Sequence, residues 1–438
     1  MKTFKIVTLG CKVNQAESDA LATRLAGRGW RQAAAAEEAD LCVVNTCTVT
    51  RKAAMQSRQA VRRAIHAHPQ ACVTVTGCYA ETDPGTLAEI EGLDYIVDQR
   101  GKAVLEDILQ ACGTASCSRP TLLSGPAATT PPAIEPAPLL KSGRGRTRPF
   151  VKIQDGCDAF CAYCIVPYAR GRSRSASVAS IVASVQHLSA AGFHEVVLTG
   201  IHIGRFGHDL HPPTDLTGLL RELESGTDCR RMRLSSLEPL ELTPELVARV
   251  AGSDRFCRHF HIPLQSGDAG VLQRMGRPYG PGEFASTVER VHAAMPDAAL
   301  GADVLVGFPG ESDQAFANTY DLVQRLPMSY LHVFPFSARP GTAAYDFPNR
   351  VPDRLITERC ERMRRLGQTK RRAFYSRFVG STVEVLVESR RDRKSGMLKG
   401  VTHNYLPVLF AGDDACMGGM RQVVIESLTD TGLQGALV

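Results

Sequence analysis

Cys157, Cys161 and Cys164 stand in C-x3-C-x2-C spacing within Gln154-Asp155-Gly156-Cys157-Asp158-Ala159-Phe160-Cys161-Ala162-Tyr163-Cys164. Thiolates are the soft ligands that iron–sulfur clusters take, and a loop this tight can wrap three corners of an iron–sulfur cube. Three ligands for four irons leave one iron open. A reacting site needs that opening, as catalytic zinc does, and an electron-transfer site lacks it. The competing reading is structural zinc. Its usual mark is a repeated C-x2-C with a fourth Cys or His nearby, and none follows here at that spacing.

A second set, Cys11, Cys47 and Cys78, is dispersed in sequence but shares one context. Each comes at or just after the end of a strand-like run: Phe4 to Gly10, Leu41 to Thr46 and Cys72 to Gly77. In a parallel sheet the C-terminal strand ends lie along one edge, where ligands bind. Three strand ends can therefore bring three thiols to one point; alternatively these are unrelated buried thiols, since free Cys packs as a small hydrophobe. Cys42 and Cys72 begin their strands, at the opposite edge, and are read as packing residues.

The elements needed to hold these sets follow from the pattern of the chain. Residues 1–112 alternate strand-like runs with helical character near 14–29, 50–67 and 102–111, which implies a parallel sheet with helices on its faces. Residues 113–146 are rich in Pro, Ser, Thr, Ala and Gly and end in a basic run, the composition of a linker. Over residues 147–370 six strand candidates are separated by helical stretches: Phe150 to Gln154, Glu195 to Thr199, Arg231 to Ser235, Arg258 to Ile262, Leu300 to Val306 and Tyr330 to Phe334. That order predicts a partial (β/α)6 barrel with its chemistry at the C-terminal strand ends. The C-x3-C-x2-C loop follows the first of these strands. Residues 371–438 continue a basic helix and then turn, after Gly380, to the alternation of a small β-barrel.

The chain has 438 residues, 44% hydrophobic and 22% charged, as globular domains with real cores do. A formal charge of +6 leans toward an anionic partner. No run approaches roughly 18 apolar residues, and the N-terminus turns polar too soon for a signal peptide, so a cytoplasmic protein without membrane contact is expected. Fourteen cysteines in such a chain read as reduced thiols at metal or redox sites.

These features together resemble the methylthiotransferase family of radical S-adenosylmethionine (SAM) enzymes. The matching pieces are Gly10-Cys11-Lys12-Val13-Asn14-Gln15, Asn45-Thr46-Cys47, Gly77-Cys78, Gln154 through Gly171, Pro263-Leu264-Gln265-Ser266-Gly267, Gly307-Phe308-Pro309-Gly310-Glu311, and a terminal barrel that looks like a TRAM domain. Gly-Cys-Lys-Val-Asn-Gln is similar to the branch acting on N6-threonylcarbamoyladenosine beside the tRNA anticodon. The alternatives are isopentenyladenosine tRNA or a ribosomal protein as substrate, or a non-catalytic iron–sulfur RNA-binding redox sensor. Ala16 and Asp268 depart from the family pattern, and neither is a proposed ligand.

The resemblance implies two 4Fe–4S clusters, on Cys157/Cys161/Cys164 and on Cys11/Cys47/Cys78, and two SAM molecules per turnover. One SAM yields the radical that takes hydrogen from C2 of the adenine; another supplies the methyl group. The resemblance places Tyr163 near the SAM adenine and Thr199-Gly200 at its amino group, with Ser235, Glu238 and Gln265 at later strand ends. Packing and backbone satisfaction are the plainer roles for each. His202, His261 and His332 are read as packed or substrate-lining rather than metal-binding. The implied partners are the tRNA anticodon arm, held by Arg170, Arg172, Arg174, Arg371 and Arg372 or left with some of these as surface charges, and an electron donor of flavodoxin or ferredoxin type. DNA is not expected as a partner.

Overall fold

The protein is described here from a computed structural model covering residues 1–34, 36–105, 120–125, 146–430 and 432–438. Most of the linker expected at 113–146, and part of the helix expected at 102–111, lie outside the described residues.

The N-terminal domain is a six-stranded parallel sheet in the order β2-β1-β3-β4-β5-β6, formed by β1 (Thr3–Thr8), β2 (Arg31–Gln32), β3 (Leu41–Thr46), β4 (Cys72–Gly77), β5 (Tyr95–Val97) and β6 (Thr121–Leu123). Central β3 is buried along its whole length because helices cover both faces of a parallel sheet. Helix α1 (Lys12–Gly27) begins directly after Cys11, and α2 (Arg51–Ala67) is capped by Thr50, whose side chain accepts from the Ala53 N–H. A short helix, α3 (Cys78–Thr82), opens on the third cysteine.

The second domain is the expected partial barrel. Strands β7 (Phe150–Lys152), β10 (Glu195–Thr199) and β11 (Arg231–Leu234) form one parallel arc, and β12 (His259–His261), β13 (Ala299–Val306) and β14 (Tyr330–Pro335) form the other. A parallel bridge from Met232 to Phe256 joins the arcs. The two-residue strands β8 (Gln154–Asp155) and β9 (Arg174–Ser175) pair antiparallel at the mouth of the barrel. Five of the outer helices start at Ser177, Asp215, Thr243, Asp268 and Ser312, each accepting from an N–H in its helix's first turn. Asp268, unusual for the family, thus keeps a capping role.

The helix Asp353–Ser376 runs unbroken across the boundary expected at residue 370 and leads into the last domain. There β15 (Thr382–Val387), β16 (Leu398–Thr402), β17 (Pro407–Phe410), β18 (Met420–Leu428) and β19 (Leu433–Leu437) close in the order β15-β16-β17-β19-β18. Val385, Val387, Leu398, Val408, Phe410 and Ile425 fill its interior. No described helix is long and apolar enough to cross a membrane.

Candidate active site

The C-x3-C-x2-C loop is pinned at its base by the β8–β9 pair, so residues 156–173 form one closed excursion above the barrel. Gln154 locks it in place. Its side-chain amide donates to the carbonyls of Asp155 and Gly156, at 3.0 and 2.8 Å, while its Oε1 accepts from the N–H groups of Ile201 and His202. Gly156 has φ +74°, and a Cβ there would lie 1.9 Å from the Arg172 carbonyl oxygen, so only glycine lets the loop turn onto its first cysteine.

The three thiols share one electrostatic environment. Burial, with Cys161 and Cys157 nearby, pushes the Cys164 thiol up to about 12. His202 Nδ1 lies 3.5 Å from Cys157 Sγ, and Arg277 Nη1 donates to Cys161 Sγ at 3.3 Å. Burial opposes charging of His202, yet its hydrogen bonds to Cys157 and Glu241 push the imidazole up to about 10. A thiol as reluctant to ionise as that of Cys164 needs a bound cation to become a ligand.

Beside the loop, at the ends of β10 and β11, lies a cavity of about 510 Å³ lined by Asp158, His202, Glu238, Glu241, Arg277 and Tyr279 among others. That is the size of a cofactor pocket. Glu238 and Arg277 pair across it, and Arg277 also donates to the Tyr279 hydroxyl. Burial pushes the Tyr163 phenol up, and Arg277, Cys161 and Glu238 surround it.

Of the residues expected at the cofactor, Glu238 lines this cavity, whereas Tyr163 lies beside Arg277 and Cys161 without lining it; Arg277, Glu241 and Tyr279, which carry no spacing signal, were missed. Thr199, Gly200, Ser235 and Gln265 do not line this cavity. Gly200 instead packs on Gln154, whose carbonyl a Cβ would meet at 2.9 Å. Gln265 takes a left-handed φ of +64° and bridges to Val304. Ser235 is buried, and its hydroxyl has no hydrogen-bond partner among the described residues.

The second set also converges. Cys47 is buried, Cys78 is buried and Cys11 is exposed at the start of α1. Burial, reinforced by Cys78 and Cys11, pushes the Cys47 thiol up to about 11. Gly10 has φ +94°, and a Cβ on it would stand 2.9 Å from Cys47 Sγ. Its bare backbone keeps the space between the first two thiols open.

The two sets face one another. The helix Val166–Arg170, directly after Cys164, packs on α3, which begins at Cys78. Arg170 Nη1 pairs with Glu17 of α1 at 2.9 Å and with Asp155 at 2.8 Å, and its Nη2 reaches Asn14. Farther along the same boundary, Arg339 donates to the Thr48 hydroxyl at 2.6 Å. Arg170 was expected to bind RNA. Its side chain is 1% exposed and its donors are taken up by carboxylates, so it belongs to the domain interface and not to a phosphate.

The other arginines differ. Arg172 is 77% exposed, stands over the Phe160 ring and pairs loosely with Asp158. Arg174 is partly covered near Asp155, Arg371 lines a cavity against the C-terminal barrel, and Arg372 is exposed.

Among the described residues, the one group of His, Cys, Asp and Glu side chains with ligand atoms all within 4.8 Å is His261, Asp303 and His332. Its members already satisfy one another: His261 Nε2 meets Asp303 at 2.8 Å, and His261 Nδ1 meets the Tyr330 hydroxyl at 3.2 Å. Burial works against it, but bonds from both histidines hold the Asp303 carboxyl below its usual range. Neither cysteine trio is drawn together tightly enough for one mononuclear ion. A larger inorganic core takes thiols set wider apart than one mononuclear ion does, and no described disulfide competes for these.

Comparison with known proteins agrees with this geometry. Residues 3–98 match the family described as "Uncharacterized protein family UPF0004", and residues 151–323 match the radical SAM superfamily. A Bacillus subtilis (strain 168) protein named threonylcarbamoyladenosine tRNA methylthiotransferase MtaB is 35% identical over 97% of this chain and 94% of its own length. An Aquifex aeolicus (strain VF5) protein of the same name is 36% identical over 87% and 91%. A Geobacter metallireducens tRNA-2-methylthio-N(6)-dimethylallyladenosine synthase is 32% identical over 100% and 98%. Among solved structures, the radical SAM methyltransferase TsrM from Kitasatospora setae shares the fold, with a TM-score of 0.58 at 19% identity over 79% of this chain and 77% of that one.

Proposed function

We propose that this chain, which belongs to the methylthiotransferase family of radical SAM enzymes, converts N6-threonylcarbamoyladenosine beside the tRNA anticodon to its 2-methylthio derivative. The observation that carries the reading is the meeting of two cysteine trios at one buried boundary, stitched by Arg170 to Glu17 and Asp155. The two relatives above carrying the threonylcarbamoyl name are 35 and 36% identical, against 32% for the dimethylallyladenosine synthase, which favours the threonylcarbamoyl substrate.

The target C–H is neither acidic nor electrophilic, so a cofactor must supply the hard chemistry. When bound, a 4Fe–4S cluster with an open iron supplies the electron that cleaves SAM, and a second supplies the site of sulfur transfer. Cys157, Cys161 and Cys164 would hold the first, and Cys11, Cys47 and Cys78 the second. Glu238 and Arg277 would bind and orient SAM in the adjoining cavity, and Tyr163, beside Arg277 and Cys161, keeps its proposed place near the SAM adenine. The Arg170 network seals the boundary between the sites against water. Arg172, Arg174, Arg371 and Arg372 remain our proposed contacts to RNA phosphate. A flavodoxin- or ferredoxin-type donor and a cytoplasmic location complete the proposal.

The test is anaerobic reconstitution, reduction, and incubation with SAM and an anticodon hairpin carrying threonylcarbamoyladenosine. Nucleoside mass spectrometry should find the 2-methylthio product with 5′-deoxyadenosine. Formation of 5′-deoxyadenosine with methylthiolation only of a dimethylallyladenosine hairpin would transfer the assignment to the other branch.

A further inference from the structure

The partial barrel is open between its first strand, β7, and its last, β14, and this gap is basic. Two cavities of about 210 and 260 Å³ adjoin there and share Arg148, Glu388 and Tyr405. The first is lined by five basic side chains, Lys12, Arg146, Arg148, Arg233 and Arg390, against one carboxylate, Glu388. The second adds Arg371 and Lys399. Much of this charge is spoken for. Arg148 and Lys399 share Glu388 at 3.1 and 3.4 Å, and Arg233 pairs with Glu195 at 2.8 Å. Lys12 is different: it forms no ion pair among the described residues, and it lines the same cavity as the guanidiniums of Arg233 and Arg148. A desolvated ammonium among like charges is unfavourable unless an anion joins it.

We infer that this cavity receives the carboxylate of the threonylcarbamoyl group, with Lys12 as the residue that selects an acidic N6 substituent over a hydrocarbon one. The inference rests on the function proposed above and deepens it. Lys12 directly follows Cys11, so the cavity begins one residue from the second thiol trio. In adenine, C2 and C6, the carbon that bears N6, flank the same ring nitrogen, N1. A base presenting C2 to that trio therefore extends its N6 substituent toward the neighbouring space. A dimethylallyl group there would leave Lys12 uncompensated, which is discrimination by an unpaired charge. Tyr405, held between Arg233 at 4.9 Å and Arg148 at 5.7 Å, walls the cavity with an aromatic face suited to the alkyl part of the substituent.

The test compares three anticodon hairpins, bearing threonylcarbamoyladenosine, its neutral methylamide and dimethylallyladenosine, on reconstituted wild type, Lys12→Met and Lys12→Arg. Both binding, by fluorescence anisotropy, and product are measured, with iron content as the check on Cys11. Wild type should prefer the acid to the methylamide by at least tenfold in both readouts. Lys12→Met should erase that preference at unchanged iron, and Lys12→Arg should keep it. Equal handling of acid and amide by wild type overturns the inference alone. So does an equal loss with all three hairpins in Lys12→Met, which would mark Lys12 as a phosphate contact. Failure of wild type to methylthiolate the acid overturns the underlying function, and this inference with it.

Discussion

Glu17 and Arg170 meet across the boundary of the two N-terminal domains, Arg170 Nη1 lying 2.9 Å from Glu17 Oε1 with neither side chain more than a tenth exposed. Around them Lys102 and Lys152 also contact Glu17, and Asp155 contacts both Arg170 and Lys152. Three largely buried cations thus face two carboxylates, with the more exposed Arg174 3.8 Å from Asp155. The excess positive charge lies next to Cys78, where Arg170 and Lys102 pull the thiol down against the stronger upward push of burial. The imbalance suits a site whose thiols ionise on binding metal.

Removing either partner should therefore have different consequences. Glu17→Gln leaves three buried cations facing one carboxylate and should cost about 3–5 kcal/mol in urea unfolding of the metal-free protein. Arg170→Gln leaves two against two and should cost less there. It should instead lower the iron held at Cys11, Cys47 and Cys78, measured in a background lacking the other trio. A larger unfolding cost for Arg170→Gln than for Glu17→Gln would contradict this charge balance.

What could be read from residues alone was whatever is local or periodic. The C-x3-C-x2-C loop is a local ligand set, and Cys11, Cys47 and Cys78 declare themselves by ending strands whose β-branched runs are plain. Arg170 was misplaced because a sequence displays a charge but not the carboxylate that will face it, and Glu17 lies 153 residues away. Arg277 and Lys12 were not assigned to a cavity for the same reason. The basic helix was already expected to continue past residue 370, so the boundary placed there cut through an element that runs unbroken over Asp353–Ser376.

Iron counting distinguishes two cofactors from one. The reconstituted protein should hold about eight irons, and substitution of either whole trio by alanine should leave about four. The Cys157/Cys161/Cys164 variant should lose 5′-deoxyadenosine formation altogether. The Cys11/Cys47/Cys78 variant should keep it and lose methylthiolation. Unchanged iron in the latter would mean that those thiols hold nothing.

Ser235 lies outside the 510 Å³ cavity, and it tests whether bound SAM reaches beyond that cavity in a way that stability cannot mimic. Its buried hydroxyl has no partner, so Ser235→Ala removes an unsatisfied group, and the ligand-free protein should be as stable as wild type or about 1 kcal/mol more so. If bound SAM supplies the missing partner, the same change should weaken SAM binding roughly tenfold, the value of a lost hydrogen bond of about 1.4 kcal/mol. Calorimetric SAM affinity equal to wild type would remove Ser235 from the binding residues.

The docking of the C-terminal barrel should depend on pH through His403. Burial, together with Arg231, Arg233 and Arg258, pushes its imidazole down to about 4, and its Nδ1 accepts from the Arg258 N–H at 3.3 Å. In the unfolded chain the same group takes its proton near 6.5. Between those values the unfolded state binds more protons, so stability rises with pH there. The contribution is complete above about 6.5 and is lost as pH falls toward 4, at up to about 1.4 kcal/mol per pH unit. His403→Asn keeps an acceptor but cannot titrate. Urea unfolding at pH 7 and pH 5 should show a smaller drop for the variant than for wild type; equal drops would place the sensitivity elsewhere.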